Sequence, residues 1–502
     1  MSYLLGYDIG SSSIKATLIE SETGAVVATA TSPKTELEIK ALQPGWAEQD
    51  PQVWWDNIKA ATAAIKVKAK VNLNDVQAIG LSYQMHGLVL VDQNHRVLRP
   101  AIIWCDSRAV KIGEKAFAAI GPETCLKHLL NSPGNFTASK LRWVQENEPK
   151  IYSRIYKAML PGDYVALLMT GMIKTTPSGL SEGIMWDFLG ESPARFLLEH
   201  YGISPELLPE LAPVFSVTGY LTNQAASELG LKPGTPLSYR AGDQPNNAFS
   251  LNVLNPGELA ATAGTSGVVY GVGDKPNYDP KSRVNTFVHV NHQPVAPRYG
   301  ILLCVNGTGI LNRWLKLNVT GNDKEGLSYE QMNELAKKAP VGSKGLVILP
   351  YGNGAERTLE NRNIGAMVQG LDFNIHDRSH ILRAAQEGIV FALNYGLEIM
   401  REMGVNTTVV RAGQANMFLS PLFCEAFSTV TGARVELYNT DGSQGAARGA
   451  GIGAKVYPNF QAAFAGLKTV KVIQPNQTAR AAYLDAYNRW LSVLKKFEES
   501  SC

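Results

Sequence analysis

Twice along the 502-residue chain, about half its length apart, a short apolar strand runs into a glycine/hydroxyl turn and out into a second strand. The first copy is Tyr3–Tyr7, the turn Gly10-Ser11-Ser12-Ser13, then Ile14–Ile19. The second is Glu258–Ala263, the turn Gly264-Thr265-Ser266-Gly267, then Val268–Val272. Alternating apolar runs broken by such turns are the mark of hairpins. The first copy goes on through Glu22-Thr23-Gly24 to a third strand, Ala25–Ala30, which predicts an antiparallel meander. A helix is expected from Asp50-Pro51, with the aspartate as N-cap, proline at the first position, and Val53, Trp54, Ile58 and Ala61 at helical spacing. Further strands are expected at Ala78–Leu81, Gly87–Val91 and Thr407–Val410, and a long helix at about Asp377–Met403. Repetition of this kind points to a duplicated α/β unit. No Pro/Ser-rich linker separates the halves, so the two domains should meet closely.

Composition narrows the function classes. A net charge of +3, with charges scattered along 502 residues, argues against nucleic acid or a membrane surface as partner. The start, MSYLLGYDIG, lacks the pattern of a signal peptide, and no apolar run approaches a membrane span. The expected location is cytoplasmic. Cys105, Cys125, Cys304, Cys424 and Cys502 are far apart with no CxxC pair, which indicates neither a zinc ribbon nor a disulfide framework. His289 and His292 lack a third ligand for a metal.

The chemistry is concentrated in a few segments. In Asp8-Ile9-Gly10-Ser11-Ser12-Ser13-Ile14-Lys15 a carboxylate leads straight into the turn. Glycine lets a backbone approach an anion, and turn amides and hydroxyls can donate to phosphate oxygens. The aspartate would repel phosphate unless a cation lay between them, so Mg²⁺ is implied. The second turn, at Gly264, Thr265 and Ser266, repeats the cradle without the acid; two such turns across a cleft would hold a polyphosphate. In Gly242-Asp243-Gln244-Pro245 the aspartate falls at or just before a helix N-terminus, as either a capping residue or a general base. Gln84-Met85-His86-Gly87 and Trp104-Cys105-Asp106-Ser107-Arg108 end likely strand segments, where α/β sheets bind ligands, although a lone histidine is often structural. The cluster Gly449-Ala450-Gly451-Ile452-Gly453 follows no clear strand and reads as helix packing rather than dinucleotide binding.

Together these segments resemble the FGGY family of carbohydrate kinases, and within it the xylulokinase branch. Beyond the motifs above, the resemblance rests on Trp46-Ala-Glu-Gln-Asp-Pro51 with Trp54-Trp55, and on Arg99-Pro-Ala-Ile-Ile-Trp-Cys-Asp-Ser-Arg108. It extends to Leu160-Pro-Gly-Asp-Tyr164, Leu349-Pro-Tyr351 with Glu356-Arg-Thr358, and Glu387-Gly388. It runs to about residue 455. It implies two ribonuclease-H-like domains in the actin-like ATPase arrangement around a central interdomain cleft. Residues 1–245 would form the N-terminal, sugar-binding domain and 246–502 the C-terminal, nucleotide-binding domain.

The resemblance further implies ATP-dependent phosphorylation of a ketopentose, D-xylulose being favoured. Ribulose, gluconate or glycerol stand as alternative acceptors, and a non-kinase actin-like ATPase as an alternative class. Asp243 would be the catalytic base and Asp8 would work near Mg²⁺, with both able to contact the metal. Met85, His86, Gly87, Trp104, Asp106, Asp243 and Gln244 would lie in or near the sugar pocket. Gly10, Ser11, Ser12, Ser13, Lys15, Gly264, Thr265 and Ser266 would hold phosphates, and Gly413 and Asn416 the adenine side. The partner is a small-molecule sugar; a homodimer is left open. An ordinary aspartate pKa, about 3.9, would leave Asp243 ionised at neutral pH. Two segments depart from the xylulokinase pattern. Gly242-Asp243-Gln244 looks more like glycerol kinases, which nevertheless carry Arg-Glu where this chain has Met85-His86. Arg411-Ala412-Gly413-Gln414-Ala415-Asn416 stands where a Gly-Gly-Gly-Ala run is usual.

Overall fold

The computed structural model describes residues 1–321 and 326–500, with side chains described to residue 497. Two sheets organise the chain. The first contains β1 (Tyr3–Ile9), β2 (Ile14–Glu20), β3 (Val26–Ser32), β4 (Val76–Tyr83), β5 (Phe215–Tyr220) and β6 (Pro236–Gly242). The second contains β7 (Leu259–Ala263), β8 (Gly267–Gly273), β9 (Asn285–Val288), β10 (Tyr299–Val305), β11 (Val409–Gly413), β12 (Arg434–Tyr438) and β13 (Thr469–Ile473). The spatial orders are β3-β2-β1-β4-β6-β5 and β9-β10-β8-β7-β11-β12-β13. In each sheet an antiparallel trio (β1, β2, β3; β7, β8, β10) continues into two parallel strands (β4, β6; β11, β12) and ends on an antiparallel one. The duplication read from two hairpins therefore extends over six strands of each sheet, with β9 an added edge strand in the second.

The expected meander forms, with Asp8 opposite Lys15 and Ile9 opposite Ile14. Helix α1 (Pro51–Ala69) starts as its sequence dictates: Asp50 accepts the Gln52 amide at 3.0 Å and proline opens the helix. It lays Trp54, Trp55, Ile58, Ala61 and Ile65 on one face of the first sheet, where the Tyr7 hydroxyl meets Thr62 at 2.6 Å. The long helix expected in the second half is α5 (Arg378–Glu402), buried on the second sheet. Between them in sequence come α2 (Pro161–Thr170), α3 (Pro177–Glu182) and α4 (Asp243–Ser250), and after α5 come α6 (Pro421–Thr431) and α7 (Gly442–Gly453).

Helix α7 accounts for the glycine-rich cluster. It lies across β1, β4 and β6 of the first sheet, although the chain reaches it only after building most of the second. The approach is backbone to backbone. A methyl at Gly6 would overlap the Ser443 carbonyl, and one at Gly80 the Ala446 carbonyl. On the helix side, Gly449 faces the Tyr239 ring and Gly453 the Ser238 carbonyl. Contrary to the expectation of no preceding strand, β12 ends four residues before α7 starts.

A second crossing runs the other way. The segment 85–208, inserted between β4 and β5, packs Leu88, Leu129, Phe136, Leu141 and Trp186 against Ala260, Val268, Tyr270 and Phe287 of the second sheet. A division near residue 245 thus separates the strands of the two sheets but not the side-chain packing between them. Among the described residues Cys105, Cys125, Cys304 and Cys424 are unbridged; Cys502 lies outside them. No helix among the described residues is long and apolar enough to cross a membrane.

Candidate active site

Both glycine/hydroxyl turns tie their carbonyls back into the protein, away from any anion they might meet. In the first, Gly10 donates to the Ser13 carbonyl (3.1 Å), while the Ser11 and Ser12 carbonyls accept from Gln49 Nε2 (2.7 Å) and the Leu37 amide (2.8 Å). In the second, the Gly264 and Thr265 carbonyls accept the amides of Gly309 (2.8 Å) and Ile310 (3.2 Å) at the start of the helix Gly309–Asn318. Beside this turn, at the end of β11, lie Gly413 and Asn416. A methyl on Gly264 would sit 3.5 Å from Asn416 Nδ2.

At the end of β1, Asp8 accepts the Ser82 hydroxyl at 2.8 Å. Gly442, the first residue of α7, lies so close that any side chain there would overlap the Asp8 carboxylate. Burial raises the Asp8 pKa, and the neighbouring Asp441 raises it further. Lys15 does not aim at open space between the turns: its Nζ pairs with Asp441 at 2.6 Å. Asp441 in turn caps α7 through the Gln444 amide (3.0 Å).

Asp243 is the first residue of α4. Gly242 occupies the N-cap and makes no side-chain cap bond, so capping does not explain the carboxylate. It lines a cavity of about 320 Å³ together with Gln244, Met85, His86, Trp104 and Ser266. Burial pushes the Asp243 carboxyl up to about 7, with the Asp8 charge adding to the effect and the Gln244 amide opposing it. The expectation of an ordinary aspartate is corrected: Asp243 at the end of β6 and Asp8 at the end of β1, with only β4 between them, share one poorly solvated site. His86 moves the opposite way, to about 3, because burial disfavours its cation and Lys140 and Arg357 repel it. Its Nδ1 meets the Glu182 carbonyl at 2.8 Å. A carbonyl can only accept, so Nδ1 carries the proton and Nε2 is left as an acceptor. Trp104, 46% exposed, donates from Nε1 to Ser11 Oγ at 3.2 Å. The first turn, through Trp104, and the second, through Ser266, thus meet at one cavity.

Sequence models of known families decide the relationship. Residues 3–250 match the N-terminal domain of the FGGY family of carbohydrate kinases, and residues 259–456 match its C-terminal domain. This chain belongs to the FGGY family of carbohydrate kinases. The xylulose kinase of Bacillus subtilis (strain 168) is 30% identical over 470 residues, covering 92% of this chain and 90% of that protein. Among crystal structures, a xyloylose kinase from Brucella ovis superposes with a TM-score of 0.88 at 27% identity, and the xylulose kinase from Rhodospirillum rubrum with 0.85 at 25%. Each alignment covers 99% of both chains. The fold is the two-domain, actin-like ATPase arrangement of these carbohydrate kinases, and members of the family take their phosphoryl group from ATP.

Two of the kinase's expected sugar contacts belong to the scaffold instead. Gly87 does not line the cavity. It is a glycine because a side chain would run into Pro161 at the start of α2. Asp106 is fully buried and its carboxylate is filled: it accepts the Ala47 amide (2.6 Å), the Arg108 amide (2.9 Å) and the Arg108 guanidinium (2.7 Å to Oδ2). Arg108 also pairs with Glu48 at 2.8 Å and lies over Trp46, 3.8 Å from the ring centroid. Much of the Trp46–Pro51 and Arg99–Arg108 signature is this buried brace.

The kinase cavity also holds residues to which sequence reasoning gave no role. Asn285, Cys304, Asn306, Arg357 and Asn361 line it from the second half. Arg357 is the one cationic side chain among them; burial pulls it down to about 10. It lies 5.5 Å from the Phe136 ring centroid and donates to the Ser282 carbonyl at 3.3 Å. Glu356, the residue before it, accepts the Asn306 amide (3.0 Å), and burial pushes its carboxyl up to about 7. The Glu-Arg-Thr motif was visible as a family signature; nothing in its spacing said that the arginine alone turns into the cavity. Asp441 had a readable signal: an aspartate before Gly-Ser opens a helix.

Proposed function

We propose that this kinase transfers the γ-phosphoryl group of ATP to a primary hydroxyl of an open-chain ketopentose, D-xylulose. The observation that carries the reading is the single cavity in which Asp243, His86 and Trp104 from the first half face Ser266 and Arg357 from the second. The named relatives, all xylulose kinases, favour this sugar.

The residues divide the work. The first half, residues 1–245, supplies the sugar side: neutral His86 accepts from one hydroxyl through Nε2, and Trp104 and Met85 cover the carbon chain. Arg357 donates to sugar oxygens from the opposite wall, and Gln244 lies beside the reactive end. The second half, residues 246–502, supplies most of the nucleotide side: the turn Gly264-Thr265-Ser266 faces Gly10–Ser13 across the phosphates, and Gly413 with Asn416 flanks the adenine. Lys15 acts there at one remove, by holding Asp441.

Asp243 takes the proton of the attacking hydroxyl as the sugar oxygen bonds to the γ-phosphorus and the bond to the β-phosphate oxygen breaks, leaving ADP. A base near pKa 7 can take that proton and return it to water at neutral pH. Phosphoryl transfer of this kind rests mainly on positioning and charge stabilisation. Among the described residues no three acid, histidine or cysteine side chains gather to hold a metal unaided. Mg²⁺ suits such a site, since it binds through one or two carboxylates and completes its shell with water and phosphate oxygens. Asp8, raised by burial and by Asp441, and Asp243, raised by burial and by Asp8, are the carboxylates that would hold it. The ion would neutralise phosphate charge.

The test is ADP release across a panel of ketoses and polyols, with D-xylulose expected to give the highest kcat/KM. In the same assay His86→Ala should raise the D-xylulose KM about 5- to 100-fold, the effect of one buried hydrogen bond. Turnover of glycerol without turnover of D-xylulose would sink the reading.

A further inference from the structure

Behind the sugar-facing wall of the cavity lies a charge that neither the motifs nor the mechanism use. Lys140, on the helix Thr137–Asn147, is completely buried. Among the described residues its Nζ has no carboxylate within ion-pair distance. Its partners are two backbone carbonyls: His86 at 2.8 Å and Ile103 at 3.0 Å. An ammonium buried without a counter-ion is costly and is rarely kept for packing alone.

The two carbonyls identify what it holds. His86 sits at φ 60, a left-handed backbone that a non-glycine residue adopts only when its surroundings impose it. The bond from Lys140 to its carbonyl holds that backbone, and the ring it carries, in this conformation. Ile103 immediately precedes Trp104, so the second bond fixes the start of the loop carrying the indole. The same helix end reinforces the grip: Thr137 Oγ1 donates to the Gly87 carbonyl (3.3 Å), and the Ala138 amide to the Gly183 carbonyl (3.0 Å). Asn135, just before the helix, donates to the Asp106 carbonyl. The His86 ring is clasped between Phe136 and Phe287.

We infer that Lys140 is the positioning residue of the sugar pocket, clamping the His86 and Ile103 carbonyls so that imidazole and indole stand ready before the sugar arrives. It touches no substrate. The inference rests on the sugar-pocket reading above. It predicts an effect mainly on the sugar: the nucleotide turns hang on β1 and β7, which Lys140 does not touch, and only the Trp104–Ser11 bond links the clamp to the first turn.

Burial lowers the Lys140 pKa to about 8, while Asp106 and Cys105 oppose the shift and Arg108 adds to it. Of the other groups facing it, burial keeps His86 neutral and holds the Cys105 thiol above its usual range. Loss of the proton leaves two N–H donors but removes the charge that strengthens both bonds.

The experiment is a double-mutant cycle with His86→Ala and Lys140→Met, reading KM for D-xylulose, KM for ATP and kcat. Lys140→Met should raise the sugar KM about 10- to 100-fold and leave the ATP KM within about twofold. The double variant should lose clearly less than the product of the two single losses, because part of the Lys140 effect runs through the His86 ring; what exceeds His86→Ala is the indole's share. Additive losses, an unchanged sugar KM, or an equal rise in the ATP KM would overturn the assignment. Should Lys140→Met fail to fold, the unmodified enzyme decides. Its sugar KM should rise several-fold between pH 7.5 and 9 at constant ATP KM, and a flat profile refutes the clamp. Failure of the sugar reading itself looks different: D-xylulose is then not a substrate of the unmodified enzyme at any pH.

Discussion

The two hairpins share a backbone and differ in charge. Asp8 and Thr262 occupy the same place, one residue before the last of their strands; their cross-strand partners are Lys15 and Val268. The first turn therefore carries an acid, a base and, through Lys15, the further acid Asp441, whereas the second offers only hydroxyls and amides. Duplication supplied two glycine/hydroxyl turns, but charge was concentrated on one. Asp243, at the end of β6, lies on the same charged side. In the function proposed above, one half manages the cation and the proton while the other only has to fit the nucleotide.

The hardest test of this asymmetry is Asp243→Asn. It should lower kcat about 10²- to 10⁴-fold, the usual effect of losing a general base. In the unmodified enzyme kcat/KM should fall about tenfold per pH unit on the acid side of an inflection at or below about 7. The sign for stability is opposite. With its folded pKa raised, Asp243 costs stability as pH rises from about 4 through about 7, because the unfolded chain ionises first. The ligand-free Asn variant should thus melt above the unmodified protein at pH 8, and the gap should narrow toward pH 4. Near-normal kcat in a folded variant would remove the base from the charged half.

Next in size is a matched pair. Asp8→Ala should lower turnover about 100-fold and raise the Mg²⁺ needed, with sugar affinity unchanged; Thr262→Ala should stay within about threefold of normal. Equal losses at both positions, read from initial rates over a Mg²⁺ series, would show that the second hairpin bears charge-handling work after all.

The smallest contrast concerns space. A methyl at Gly264 makes ordinary contact with Asn416 (3.5 Å), and one at Gly10 presses on the Ser13 carbonyl (3.1 Å). Neither glycine needs a left-handed backbone. Alanine at either place should fold, with a slightly lower melting point for Gly10→Ala, and each should raise the ATP KM about tenfold, or ~1.4 kcal/mol, by holding phosphate off the amides. If neither ATP KM moves, the turns do not touch the nucleotide.

The hairpins, the α1 cap and the Asp243 segment were legible because each is local: turn residues and capping residues act on neighbours within a few positions. What the sequence hid was convergence. Gly87 and Asp106 sit in motifs that face the cavity, yet one is small to admit Pro161 and the other is consumed by Arg108. Conversely Arg357 and Lys140 carry no local pattern, and their roles follow from chains of contact across 50 to 270 residues, such as Lys140 with His86 and Arg357 with His86. The Asp243 pKa was misjudged for the same reason: Asp8, which raises it, is 235 residues away in the chain.

The placement of α7 bears on how the molecule is made. A growing chain emerges N-terminus first, and domains tend to fold as they appear. Here the first sheet cannot do so completely. Its glycine-marked face at Gly6 and Gly80 stays bare until residues 442–453 have been synthesised. By then the strands β7 to β12 are already out. The first half is therefore finished late in synthesis, by a piece delivered from the second half. A chain cut off before residue 442 would lack not a terminal ornament but the lid over its first core.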